Sequence, residues 1–294
     1  MFEKIKISLS AFSVRGKNAT RLLMYFRLLI SQPMRLSQIP LLAWTFTLAA
    51  GFLSTFSSTC AAAPEEIQVY IDDITEPGRF GADIHNSYVA SGSKTPDFPG
   101  AQPPDGVYRL TPEFYYGLNK NIEMGLYLLS TFGPGDRASY EGEKLRIKYI
   151  ADHNIMEGSF WGANFEFGRI SRRFAEEPWN AELKGIYGFR SGSWLFAVNP
   201  NLGWSFSGQT SSPVALRIDT KVAYKMGTDY SLGIETYNDL GTLNNLGHLA
   251  QQSEMLYGVV DAEIKGLELN FGVGRGLTPA SDRWVFKLIV GLHY

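Results

Sequence analysis

The sequence predicts an all-β fold: a single transmembrane antiparallel up-and-down β-barrel of twelve strands. Three observations carry that expectation. Aromatic residues make up 14% of the 294 residues and there are 30 glycines, interleaved along short segments as in barrels and sandwiches rather than helical proteins. Segment after segment keeps its apolar residues on one parity, the mark of a strand with two different faces. The connections between those segments alternate between short and long.

The strands follow in order. Phe80 to Ala90 is the first. Val107 to Gly117 sets Tyr108, Leu110, Phe114 and Tyr116 against Arg109, Thr111 and Glu113, and Ile122 to Ser130 sets Met124, Leu126 and Leu128 against Glu123 and Tyr127. Lys144 to Asp152 alternates Leu145, Ile147 and Tyr149 with Lys144, Arg146 and Lys148. Phe160 to Gly168, Trp179 to Phe189 and Trp194 to Phe206 continue the pattern. Val214 to Tyr224 is the clearest, with Leu216, Ile218 and Val222 opposite Arg217, Asp219 and Lys221. Tyr230 to Tyr237, Glu254 to Ile264, Leu267 to Gly274 and Trp284 to Tyr294 complete the twelve. Pro200 removes a ladder donor in mid-strand and predicts a kink or bulge there.

Parity alone does not separate a barrel from a sandwich. Strands of about 9 to 11 residues, even in number, match what a membrane barrel requires. The connections 118–121, 153–157, 190–193, 226–229 and 265–266 are short, whereas 91–106, 131–142, 171–178, 238–253 and 275–282 are longer and richer in Pro, Gly and charge. Short turns on one rim, with both termini there, and long loops on the other form the layout of outer-membrane barrels, which places the termini in the periplasm. Lipid offers no partner to a bare backbone N–H, so the strands must close into a ring. The apolar parity then faces lipid, the polar parity lines the interior, and Trp161, Trp179, Trp194, Trp204 and Trp284 fall near strand ends or in outward register, where aromatic girdles belong.

The N-terminal part is a targeting segment. From Met34 the chain reads one Arg, an apolar stretch from Ile39 to Phe56, and small residues up to Ala63, the order of a cleaved signal peptide. Residues 34–62 are assigned to that signal, and residues 1–33 to an over-extended start ahead of Met34. Residues 63–79 form a periplasmic arm or a plug in the barrel mouth, and residues 80–294 the barrel. Cys60, the only cysteine, is removed with the signal, which leaves no disulfide or thiolate site. Loss of residues 1–63 removes seven basic groups and one acidic group from the 27 and 29 of the full chain. A net charge of about −8 then argues against a nucleic-acid partner.

No constellation carries catalytic chemistry, so no enzyme, cofactor or metal is expected. Asp83, His85 and Ser87 share one face of the first strand, but residues two apart sit about 6.5–7 Å apart at a rise of ~3.3 Å, too far for a Ser–His bond. Residues 272–276, Gly-Val-Gly-Arg-Gly, lack the helix of a dinucleotide site and are expected to mark bends. The functional candidates are the interior charges: Arg146 and Lys148 beside Glu166, then Glu182 and Lys184, and the ladder Arg217, Asp219 and Lys221. They can line a selective water-filled channel, or neutralise one another and close the lumen.

The stretches EIQVYIDDITEPGRFGADIHNSYVASG, YRLTPEFYYGL and NFGVGRGLTPASDRWVFKLIVGLHY resemble uncharacterised proteobacterial outer-membrane proteins, and more loosely the barrels grouped with the meta-pathway of phenol degradation and similar transporters. The likeness implies a cell-surface barrel that passes small molecules, and it brings no site residues. The C-terminal run Phe286, Leu288, Val290, Leu292 and Tyr294 resembles the signal read by the outer-membrane assembly machinery. The expected function is a passive pore or transporter for small solutes, with outer-membrane lipid, lipopolysaccharide and that machinery as partners. The alternatives are a lipid-acting hydrolase or a closed structural or adhesive barrel.

Overall fold

The structure, a computed structural model, describes residues 66–135, 138–207 and 213–293. The expected signal peptide, the expected extension 1–33, Cys60 and Tyr294 lie outside the described residues. Among those described, no helix is long and apolar enough to cross a membrane.

Twelve long antiparallel strands close into a ring. They are β1 (Phe80–Ser91), β2 (Tyr108–Asn119), β3 (Ile122–Phe132), β4 (Ser139–Ile150), β5 (Gly158–Ile170), β6 (Trp179–Ser191), β7 (Trp194–Ser205), β8 (Ala215–Met226), β9 (Tyr230–Thr242), β11 (Ser253–Ile264), β12 (Leu267–Gly276) and β13 (Trp284–His293); the two-residue β10 (Asn245–Leu246) only extends the β9 edge. Each strand pairs with its neighbour, and β13 pairs with both β12 and β1, which leaves no open edge. The first and last strands meet at Gly81 opposite His293, on the rim of the short turns. One of those turns is Lys265-Gly266, with φ of 54° and 79°, the double positive φ that two-residue hairpins favour.

Every expected strand is present, and the differences lie at ends and irregularities. β4 begins at Ser139 rather than Lys144 because Gly142, at φ 139°, carries a bulge where the register to β3 shifts. A bulge flips the facing of the residues beyond it, so Glu141 is buried although Lys144 of opposite parity is buried too. The expected loops 131–142 and 238–253 shrink accordingly, with β9 running on to Thr242. Pro200 brings no shift: pairing on either side of it, Lys184 with Asn201 and Tyr187 with Val198, keeps one register. The glycines of 272–276 bring no register shift either, since β12 pairs unbroken with both neighbours. A side chain at Gly274 would strike the Tyr257 ring and one at Gly272 the Lys287 stem. These glycines make room for the lumen.

The wall is apolar outside and largely charged inside. Along β4, Leu145 is 57% exposed while Arg146 beside it is 3% exposed. Trp161, Trp179, Trp194 and Trp284 are exposed on the outer surface, where Trp179 stacks on Phe167, Trp161 and Trp194 meet Tyr149 and Tyr224 edge-on, and Arg275 lies over the Trp284 ring. On β13, Phe286 and Leu288 face out and Lys287 faces in.

Candidate functional site: the lumen and the segment within it

The chain ahead of β1 does not hang outside the ring. Residues 66–78 turn at Gly78 (φ 78°) and run into the lumen from the short-turn mouth. There Ile67, Val69 and Tyr70 are buried together with Val89, Ile150, Phe160, Ile186, Tyr237, Tyr257, Val259 and Val285. The interior is therefore partly apolar, where strand parity alone predicted a polar lining. Tyr70 stands near its middle. Its backbone N–H donates to Asn199 Oδ1 at 2.7 Å and its carbonyl accepts from Asn199 Nδ2 at 3.1 Å. The side-chain amide thus takes the place of a strand partner, each bond worth about 0.5–1.5 kcal/mol net. The Tyr70 hydroxyl meets Tyr127 Oη at 2.6 Å and donates to Glu66 at 2.9 Å, and Lys184 Nζ sits 4.2 Å from its ring centroid. Burial, with Glu66 second, holds its phenol well above the ordinary range.

Further contacts tie the segment to both sides of the ring. Lys287 Nζ donates to the carbonyl of Ile67 at 3.1 Å, and Thr75 N–H donates to Glu123 at 2.8 Å. Asp72 accepts from Arg190 Nε at 3.0 Å and bonds His153 Nε2 at 2.9 Å. Burial alone would raise the Asp72 carboxyl, but the Arg190 and His153 bonds outweigh it and leave it below its usual value.

All eight predicted charges point into the lumen or its edge, with partners that sequence neighbourhood misjudged in part. Arg146 lies directly opposite Glu166 in the ladder, yet its guanidinium reaches the other way, 2.5 Å from Glu113 and 2.5 Å from Glu123. Lys148 pairs with Glu123 at 3.3 Å and Asp73 at 3.4 Å. Glu166 is shared by Lys144 at 3.8 Å and Lys184 at 3.7 Å, and Glu182 by Lys184 at 3.3 Å and Arg217 at 3.5 Å. Asp219 accepts from Arg217 at 3.1 Å and Asn201 at 2.6 Å, while Lys221 pairs with Glu235 at 3.2 Å and Asp261 at 2.9 Å. Glu113, Glu123, Glu235, Asp261 and Lys287 belong to the network as well, and parity had already set Glu113 and Glu123 on the inner face. Asp72 and Asp73 carried no such signal. A buried charge is tolerable only when paired, and these pairs supply that condition.

The two mouths differ. At the long-loop end, Phe174 and Ala175 fold in against Tyr127, Leu129 and Ile170, and Arg109 lies 5.2 Å from the Phe174 ring centroid. Arg173 pairs with Glu141 at 3.2 Å and donates to Gln102 at 2.5 Å, tying two long loops together. At the short-turn end a cavity of about 750 Å³ remains, lined by the segment and by wall residues including Asp83, Lys221, Lys225, Asp261 and Glu268. His85 bonds Glu113 of β2 at 3.2 Å, which gives the imidazole a partner across the strands rather than along its own.

No family model matches the chain, and no curated protein matches it in sequence. Its fold matches solved structures. The COG4313 outer membrane channel from Pseudomonas putida F1 superposes with a TM-score of 0.57 at 12% identity, over 78% of this chain and 100% of that one. The KdgM porin superposes with a TM-score of 0.50 at 9% identity, over 73% of this chain and 99% of that one. The fold is that of outer-membrane barrels. At these identities the likeness extends to architecture, and the lumen must be interpreted from its own residues.

Proposed function

We propose that this chain is an outer-membrane channel for small solutes, restricted by its own N-terminal segment. One observation carries the reading: the ring's backbone pairing is complete without residues 66–76, which are held mainly through side chains. Withdrawing the segment would expose no sheet edge and would leave a lumen lined by Arg146, Lys148, Glu166, Glu182, Lys184, Arg217, Asp219 and Lys221 as selectivity elements. The short-turn rim would face the periplasm, after export by a signal cleaved near Ala62. Phe286, Leu288, Val290 and Leu292 would present the recognition stripe to the assembly machinery, with lipopolysaccharide around the long-loop rim. The sequence likeness to phenol-degradation barrels favours small organic solutes.

A closed structural barrel is the competing reading, favoured by the filling of the lumen from both mouths. Planar-bilayer recording separates the two. The full chain should give small, infrequent conductance steps, and a chain lacking residues 66–76 larger and sustained ones. Silence from both proteins at all voltages and salt concentrations would leave the closed barrel standing.

A further inference from the structure

The N-terminal segment carries Glu66 against two wall residues, His85 of β1 and Glu113 of β2. One ligand atom from each lies within 4.8 Å of the other two. His85 and Glu113 are 4% and 2% exposed, so the pair is sealed from solvent. His85 Nε2 and Glu113 Oε2 are 3.2 Å apart, and His85 Nδ1 is buried with no hydrogen-bond partner among the described residues. Zinc holds nitrogen and oxygen ligands at ~2.0–2.2 Å in a tetrahedron, which sets neighbouring ligand atoms about 3.3–3.6 Å apart. The imidazole and carboxylate therefore already stand near the length of one edge of such a polyhedron.

The surrounding cations leave these ligand atoms available. Arg146 lies against Glu113 Oε1, not Oε2, and keeps Glu123 at 2.5 Å as a second partner. Lys184 stands 3.8 Å from Glu66 Oε2 and has Glu166 and Glu182 besides. Tyr70 Oη donates to Glu66 Oε1 at 2.9 Å, and Tyr127 Oη lies 3.5 Å from the same oxygen. Such outer bonds orient a ligating carboxylate rather than compete with it.

We propose that Glu66, His85 and Glu113 form a site for one divalent transition cation of the zinc class, which clips the N-terminal segment to the barrel wall. One imidazole nitrogen with two carboxylate oxygens suits zinc, nickel or copper better than magnesium or calcium, which prefer oxygen alone. The cation takes the position of the proton now shared between His85 and Glu113, so binding releases a proton. The site is independent of transport; only its consequence, a more firmly seated plug, rests on the channel reading above.

The test uses the full chain folded in detergent, stripped with EDTA and titrated with zinc chloride in a calorimeter, with bound metal counted by elemental analysis after desalting. The expected result is one equivalent of zinc, little competition from magnesium, and affinity lowered more than about 100-fold in His85→Gln and in Glu66→Gln. Loss of a ligand should exceed the ~10–100-fold typical of outer-shell losses. His85→Gln alters a wall strand, so Glu66→Gln, on a segment that contributes no strand to the ring, is the decisive variant, with heat-modifiable migration reporting that the barrel folds. Absent saturable binding, or zinc held equally well by Glu66→Gln, the clip is wrong. Conductance recorded in parallel keeps the two readings apart: zinc without conductance sinks the channel alone, and conductance without zinc sinks the site alone.

Discussion

The ring and the segment inside it are built on opposite principles. The ring is periodic: apolar and polar residues alternate, every long strand pairs on both sides, and its exposed surface carries Leu145, Ile147, Trp161 and Phe165. The segment 66–78 has no ladder. Its backbone is met by the Asn199 amide, the Glu123 carboxylate and the Lys287 ammonium. Backbone closure makes the ring cooperative and hard to open, since an unpaired N–H in lipid costs several kcal/mol. Under the channel reading proposed above, side-chain anchoring would let the segment leave without opening the wall.

The largest effect should come from breaking a charge shared by the wall alone. Arg146→Met leaves Glu113 and Glu123 without their guanidinium, and removal of one partner from a buried pair costs about 3–5 kcal/mol. Urea unfolding in lipid vesicles should show the midpoint drop accordingly. An unchanged midpoint would mean that Lys148 and His85 suffice for both carboxylates.

A smaller effect should touch the segment and spare the ring. Because the docked Asp72 carboxyl titrates below its undocked value, its contribution to docking is fully present above about pH 4, the ordinary aspartate value, and fades as pH falls through the docked value. Protease cleavage within 66–78 should accordingly stay slow at pH 5 and accelerate only in stronger acid. Asp72→Asn should be cleaved faster at pH 5 and above and lose that dependence, so that parent and variant converge in strong acid. Acid-accelerated cleavage persisting in the variant would transfer the effect to another group.

The smallest effect is expected at the turns. Lys120 and Asp152 meet at 2.6 Å but are 70% and 67% exposed, and a solvated pair contributes little. Lys120→Ala should leave both the urea midpoint and the cleavage rate where they were. A measurable loss would show that the short-turn rim, not the lumen, limits stability.

The wall was legible because one residue type per parity is a local property. Val214 to Tyr224 declares its two faces without reference to any other strand, and β8 keeps them. The ends were less legible where the local rule is interrupted, as at Gly142, whose bulge hides Ser139 to Glu141 from any search for alternation. Pro200 shows the converse: a residue that ought to disturb the strand sits outward, opposite Gly185, and the register passes through it.

By itself, then, the sequence determined the ring: strand number, facing, the alternation of turns and loops, and which charges turn inward, all of which follow from spacing along the chain. Only the tertiary structure decided the partners. Arg146 pairs with Glu113 and Glu123 rather than with the Glu166 beside it, because side chains crossing a narrow lumen choose by distance, not by strand neighbourhood. It alone decided, too, that residues 66–78 lie within the ring, since a segment anchored by side chains from β3, β6, β7 and β13 carries no period of its own.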